Sequence, residues 1–308
     1  MFPSPSQFEE YLNQLESLDL EEENSEEALD DLFQKLETLP IVSYPLPSDF
    51  PMTRARLNND GERFDHVSQV WHKPEELNNG FGRASNPNNN VLYCAFDPYP
   101  DNKSTDKPVE RITALCEVSD IYFTNPDETI SETVTFARWF PGQQLNLVCP
   151  FDFSRLSSES PILEDMNQAY SNIVNEYEEY EDQITRFHTF IANQFAKHPI
   201  EEEHEYKITA LFTEMIMEKG FDGVIYPSVK TDLRGFNVAV NSNIVEDNFN
   251  LFAVCECTHY LKQDYSFVNN DLLTSEIKED GSFQLLPLEH PYTLPEEQVQ
   301  KIIESNII

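Results

Sequence analysis

Six side chains in this sequence combine types and neighbours that suit chemistry. They are Arg54 and Arg56 in "TRAR", Arg83 in "GFGRASN", Tyr93 in "VLYCAF", Glu117 in "ALCEV" and Ser228 in "VIYPSV". The set offers guanidinium, aromatic, carboxylate and hydroxyl groups. A planar guanidinium holds an oxyanion through two parallel hydrogen bonds. A carboxylate in apolar surroundings needs a partner or a function, and Glu117 lies in the apolar run "ITALCEV". Each residue alone also has a plain structural reading. Arg54 and Arg56 suit surface salt bridges, Tyr93 a core position, Ser228 a turn after proline, and Glu117 an ion pair with an arginine. The usual signatures are missing from the sequence: GxGxxG, GxxxxGK[ST], HExxH and GxSxG do not occur. The two histidines of "HPIEEEHEY" read as part of a charged helix start rather than a metal site.

The chain that must position these groups has 308 residues and 39% hydrophobic content, enough for one sizeable core. Its 20 basic against 56 acidic residues give a net charge of −36. Such a surface repels nucleic acid and anionic membranes. The five cysteines (Cys94, Cys116, Cys149, Cys255 and Cys257) form no CxxC and read as free thiols of a reducing compartment. The acidic start lacks the pattern of a signal peptide, and no apolar run reaches the ~18 residues of a membrane span. These features predict a soluble, cytoplasmic protein.

Residues 1–45 read as an acidic extension. Two amphipathic helices carry the stripes Phe8, Tyr11, Leu12, Leu15 and Leu29, Leu32, Phe33, Leu36, with Ser25 as an N-cap, before an arm broken by Pro40, Pro45 and Pro47. A main domain over 46–308 follows. Strands are expected at "VLYCAF", "DIYF", "TVTFARWF" and "LNLVC", and a helix running into a strand at "PVERITALCEV". From Leu163 to Ile191 apolar residues recur at alternating spacings of three and four, which predicts one long helix inserted over about 161–198. Its seam serves either the chain's own core or self-association as a homodimer. A helix over about 204–219 ends at Gly220, strands follow at "FDGVIYPSV", "FNVAVN" and "NLFAVCEC", residues 266–294 look looser, and "LPEEQVQKIIESNI" reads as a C-terminal helix.

The ordered series "TRAR", "GRASNP", "VLYCAF", "ALCE", "YPS", spread from about 52 to 257, resembles the RES-domain family, named for its Arg, Glu and Ser. The resemblance implies an α+β fold like that of mono-ADP-ribosyltransferases. That fold has a mixed or antiparallel β core with surrounding helices, here carrying the N-terminal helical extension and the one long helix. It implies an enzyme that cleaves NAD at the nicotinamide–ribose bond. A phosphate acceptor would make it an NAD phosphorylase and water a glycohydrolase; a protein acceptor, the alternative, would make it an ADP-ribosyltransferase. It also implies a toxin or defence effector of a toxin–antitoxin pair, with an antitoxin or regulatory protein as partner.

On that resemblance Glu117, Arg83, Tyr93 and Ser228 are the catalytic residues, and Arg54, Arg83, Tyr93 and Ser228 bind the substrate. Glu117 would stabilise an oxocarbenium-like ribosyl cation. Arg54 and Arg83 would hold phosphates, Tyr93 would orient nicotinamide, and Ser228 would position its ribose or amide. NAD is then substrate rather than cofactor, inorganic phosphate a co-substrate, and no metal is needed. The competing reading is a non-catalytic acidic interaction module, in which Glu117 pairs with an arginine.

Overall fold

A computed structural model describes residues 3–59, 61–99, 109–156, 160–232, 234–263 and 265–287, together with 297, 298 and 301. Seven α-helices are described: α1 (Pro5–Ser17), α2 (Ser25–Leu36), α3 (Val109–Val118), α4 (Pro161–Glu176), α5 (Glu181–Phe195), α6 (Lys207–Glu218) and α7 (Ser242–Asn248). The described strands are β1 (Ser43–Leu46), β2 (Met52–Leu57), β3 (Val91–Phe96), β4 (Ile130–Pro141), β5 (Leu145–Val148), β6 (Gly223–Pro227), β7 (Phe236–Asn241), β8 (Phe249–Lys262), β9 (Tyr265–Ile277) and β10 (Phe283–Pro287). They form one ten-stranded mixed sheet in the order β1-β5-β6-β7-β3-β2-β4-β8-β9-β10. The β5/β6 pair is parallel and the other named pairs are antiparallel.

The central strands are apolar at successive positions because both of their faces are covered. Leu92, Cys94 and Phe96 of β3 and Val238 and Val240 of β7 enter one core, which α4 joins through Leu163 and Met166. Val91 of β3 and Ala239 of β7 turn to a second core built with α1, α2, α5 and α6. The first forty residues are therefore integral to this second core: Phe8, Leu12, Leu29 and Leu36 are buried there against Phe187 and Phe212. Asn24 rather than Ser25 occupies the cap position of α2, and the Ser25 hydroxyl instead donates to the Leu20 carbonyl.

The long helix expected over 161–198 is two helices. Tyr177 leaves helical geometry at φ −115° and ψ 46°, and a 3₁₀ turn over Glu178–Tyr180 separates α4 from α5. The break has a packing cause. Leu163 and Met166 serve the first core, whereas Ile184, Phe187 and Ile191 serve the second, so the seam must change direction between them. Gly220 closes α6 as expected. At φ 89° it is left-handed, and the Phe221 amide reaches back to the Ile216 carbonyl. "DIYF" is a 3₁₀ turn over Ile121–Phe123 rather than a strand, and the looser stretch after 265 is β9 and β10. The expected C-terminal helix lies outside the described residues, apart from 297, 298 and 301. No described helix is long and apolar enough to cross a membrane.

Candidate functional site

The candidate residues meet in a cleft of about 670 Å³. Its walls include Arg54, Arg83, Tyr93 and Glu117 together with Tyr206 and Asn237. The floor comes from the sheet: β3 and β7 pair with Tyr93 opposite Ala239 and Ala95 opposite Asn237. One wall is α3, which sits on β2 and β3 through Ala114 and Leu115 against Ala55 and Ala95. The approach is close at Gly235, where a Cβ would lie 1.7 Å from Thr113 Oγ1 on α3. The other wall is the segment from His198 to Tyr206, leading into α6.

Glu117 departs from the expectation of a buried carboxylate. It is exposed to the cleft, because the apolar residues around it in sequence, Ala114, Leu115 and Cys116, occupy other sides of the helix and are buried. Its Oε1 accepts hydrogen bonds from Ser228 Oγ at 2.7 Å and Asn237 Nδ2 at 2.8 Å. Both partners are buried. Among the described residues Glu117 joins no ion pair, and its Oε2 accepts no hydrogen bond, so that oxygen faces the cleft as an open acceptor.

Arg54 is half-buried, and desolvation holds its pKa below the usual guanidinium range. Strands β2 and β3 share a single registered pair, Thr53 with Ala95. Arg54 bridges the strands nearby, donating from Nη1 to the Tyr93 carbonyl at 3.1 Å. Its Nε has no partner, nor does the buried Thr53 Oγ1 beside it. An unmatched buried guanidinium donor is costly unless something completes it. Arg56 also lines the cleft, with its Nη1 donating to the Gln69 carbonyl and its guanidinium over the Phe64 ring.

Arg83 and Tyr93 are linked differently from the sequence reading. The Tyr93 hydroxyl accepts from the Ala84 amide at 2.8 Å and donates to Ser85 Oγ at 3.1 Å. The ten-residue spacing therefore lets the strand tyrosine fasten the turn that carries Arg83. Gly82 is required because a Cβ there would come within 2.7 Å of Ser85 Oγ and 3.2 Å of the Tyr93 hydroxyl. Burial pushes the Tyr93 hydroxyl pKa up. Arg83 donates from Nη1 to the Phe195 carbonyl and from Nη2 to the Lys197 carbonyl, and lies over the Tyr206 ring at 5.3 Å. It clasps the C-terminal end of α5, where carbonyl oxygens carry the negative end of the helix dipole. Ser228 is buried, and its amide bonds the Gly235 carbonyl at 2.9 Å, which aims its hydroxyl at Glu117.

The sequence reading missed Asn237, Tyr206, Tyr226 and Lys230. Asn237 had a signal: it is the amide inside the apolar strand "FNVAVN", and a polar group in a strand covered on both faces needs a partner. Tyr226 is buried against Phe195, with ring centroids 5.0 Å apart, and burial raises its pKa well above the usual phenol value. Lys230 pairs with Asp120 at 3.1 Å. Neither of these had a local signal. Among the described residues no group of His, Cys, Asp or Glu could hold a metal ion.

Residues 158–295, just under half of the chain, are similar to the Malectin domain. Comparison with curated proteins gives no match. The Malectin similarity overturns the RES-domain resemblance, and with it the mono-ADP-ribosyltransferase-like fold. A Malectin domain is a carbohydrate-binding module and not an NAD-cleaving enzyme family, so the NAD phosphorylase, glycohydrolase and toxin–antitoxin readings fall as well. The motifs that carry the RES-domain resemblance are each short and lie far apart in the chain, whereas the Malectin similarity is a single span. The span contains Tyr206, Tyr226, Ser228 and Asn237; Arg54, Arg83, Tyr93 and Glu117 precede it.

Proposed function

We propose that the cleft is a binding site for an anionic sugar, a pyranose or ribose unit that bears a phosphate or carboxylate group. The reading rests on one pairing of features: an open carboxylate oxygen on Glu117 and the side chains of Arg54 and Arg56, all lining one cleft. Sugar hydroxyls donate to carboxylates, and the sugar's apolar ring face suits the flank of an aromatic side chain such as Tyr206. The cationic end suits an anion. In a chain of net charge −36, a cleft lined by Arg54, Arg56, Arg83 and Lys230 is a local reversal of sign. Screening beyond ~8 Å lets such a local field act on a bound ligand despite the distant acidic surface. The Malectin similarity supports the carbohydrate half of this reading. The cations supply the preference for charge.

The test is thermal unfolding and calorimetric titration with a panel: a neutral glucose disaccharide, glucuronate, a hexose phosphate, ADP-ribose and NAD. NAD carries two riboses and a pyrophosphate and so belongs to the same ligand class. At a hundred times Kd an anionic sugar stabilises the fold by about 2.7 kcal/mol, which a melting curve resolves. Absence of any shift with all the anionic sugars refutes the proposal, as does equal or tighter binding of the neutral disaccharide. Nicotinamide is assayed in the NAD sample, and catalytic release would show that binding alone is the wrong description.

A further inference from the structure

A second cluster lies on the side of α3 remote from Glu117. Cys255 and Cys257 are two positions apart on β8, so their side chains share one face. Their Sγ atoms are 3.4 Å apart. Arg111 of α3 places Nη2 at 2.8 Å from Cys257 Sγ, with its guanidinium over the Phe136 ring at 4.6 Å. Asn270 Oδ1 of β9 lies 3.2 Å from the same sulfur. Cys257 is fully buried and Cys255 is half-buried. Beside them opens a groove of about 920 Å³. Its lining includes Arg111 and Asn270, the two neighbours of the Cys257 thiol, and the cations Lys230 and Arg234.

We propose that Cys255 and Cys257 form a redox-active dithiol, which anionic low-molecular-weight disulfides of the glutathione type convert into an intrastrand disulfide. The half-buried Cys255 attacks first. The hydrogen bond from Cys257 and the Arg111 charge hold its thiol below the ordinary range, while the contact with Cys255 and burial raise that of Cys257. The Cys255 thiolate displaces one thiolate from the small disulfide, which takes up a proton, and a mixed disulfide forms. The Cys257 sulfur then attacks Cys255 Sγ, and its proton passes to the departing small thiolate, which leaves as the second thiol. The protein dithiol loses two electrons and the small disulfide gains them. Arg111, Lys230 and Arg234 in the groove, against the single acidic lining residue Asp232, match the carboxylates of such a reagent.

Closure draws the sulfurs from 3.4 Å to about 2.05 Å. Residues two apart on a strand stand roughly 6.8 Å between Cα atoms, the long limit for a disulfide, so the bond is strained and readily reduced. The ladder between β8 and β9 shifts register between Glu256 and Cys257, which gives the local backbone an irregularity to work with. The other thiols are poor competitors. Burial pushes Cys94 up to about 12 and Cys116 to about 11, and raises Cys149 further.

The experiment incubates the reduced, folded chain with oxidised glutathione, alkylates the remaining thiols after denaturation, and maps the peptides. The expected result is the loss of both alkylatable thiols from the peptide holding Cys255 and Cys257, restored by dithiothreitol. Cys257→Ser should trap glutathione on Cys255, and Cys255→Ser, at the half-buried position, should carry no adduct at Cys257. Cys257→Ala provides the same trap if the serine variant folds poorly. The proposal fails if both thiols of the wild-type chain remain alkylatable after the folded chain has been treated with oxidised glutathione, or if a glutathione adduct on Cys255 persists without closure.

Discussion

Arg54 and Arg186 stand in opposite situations, one in the cleft and one in the helical layer. Arg186 on α5 is matched at every nitrogen: Nε and Nη2 donate to Glu16 at 2.7 Å each, Nη2 also to Asn13 at 2.8 Å, and Nη1 to Glu9. It ties α5 to α1 and joins the N-terminal residues to the body of the protein. Arg54 is half-buried like Arg186, yet its Nε is unmatched and its carbonyl partner carries no net charge. A guanidinium with all donors matched by carboxylates is a strut. Arg54, in the cleft wall, has no such set of partners. The two arginines differ in partners that lie far along the chain, which a count of arginines does not record.

The contrast can be broken most sharply at Arg54. Arg54→Met should weaken binding of an anionic sugar by about 2 kcal/mol or more, roughly thirtyfold, and leave the neutral analogue's weak binding unchanged. Equal losses for both ligands would show that Arg54 only shapes the cleft.

On the helical side, His188 follows Arg186 by two positions on α5 and is buried, with its pKa lowered to about 4 by burial. The unfolded chain binds that proton below about 6.5, the folded chain only below about 4, so stability rises with pH across this window and is lost as pH falls through it. The contribution is about 3 kcal/mol. Urea midpoints at neutral pH and at about pH 4.5 should therefore differ by less in His188→Gln than in the wild type; an equal difference would move the acid sensitivity elsewhere, for instance to His259, which burial also lowers to about 4.

Glu117→Gln keeps the hydrogen-bond geometry and removes the charge. Sugar affinity should fall by about 1.5–3 kcal/mol while the melting temperature of the free protein barely changes, since the side chain is exposed. A large loss of stability would make the Ser228–Glu117–Asn237 cluster structural. The smallest effect belongs to Arg186→Ala, about 1 kcal/mol of stability and no change in ligand affinity, because its ion pairs are partly exposed. Any change in affinity would couple the two regions and blur the contrast.

The sequence made the buried scaffold legible where local pattern and tertiary role coincide. The stripes of α1, α2 and α6 and the apolar strands β3 and β7 are where they were expected. Pattern failed where one element serves two cores, as at Tyr177, and in β9, where Asn269, Asn270 and Asp271 interrupt the alternation beside a register shift. At the site, residue type alone singled out Arg54, Tyr93, Glu117 and Ser228, which the fold gathers around one cleft. What each does depended on partners far along the chain. Arg83 is held by carbonyls at 195 and 197, and Glu117 by a hydroxyl at 228 and an amide at 237, none of which local spacing encodes.

The near-contact of Gly235 with Thr113 sets how far α3 stands from the sheet. Position 235 is not part of the cleft lining, yet any side chain there must lift the helix that carries Glu117. If the cleft binds a sugar, that spacing would set the size of ligand it admits. Gly235→Ala should favour bulkier sugars over small ones, and trimming Thr113 to alanine in the same molecule, which removes the Oγ1 and Cγ2 contacts, should move the preference back.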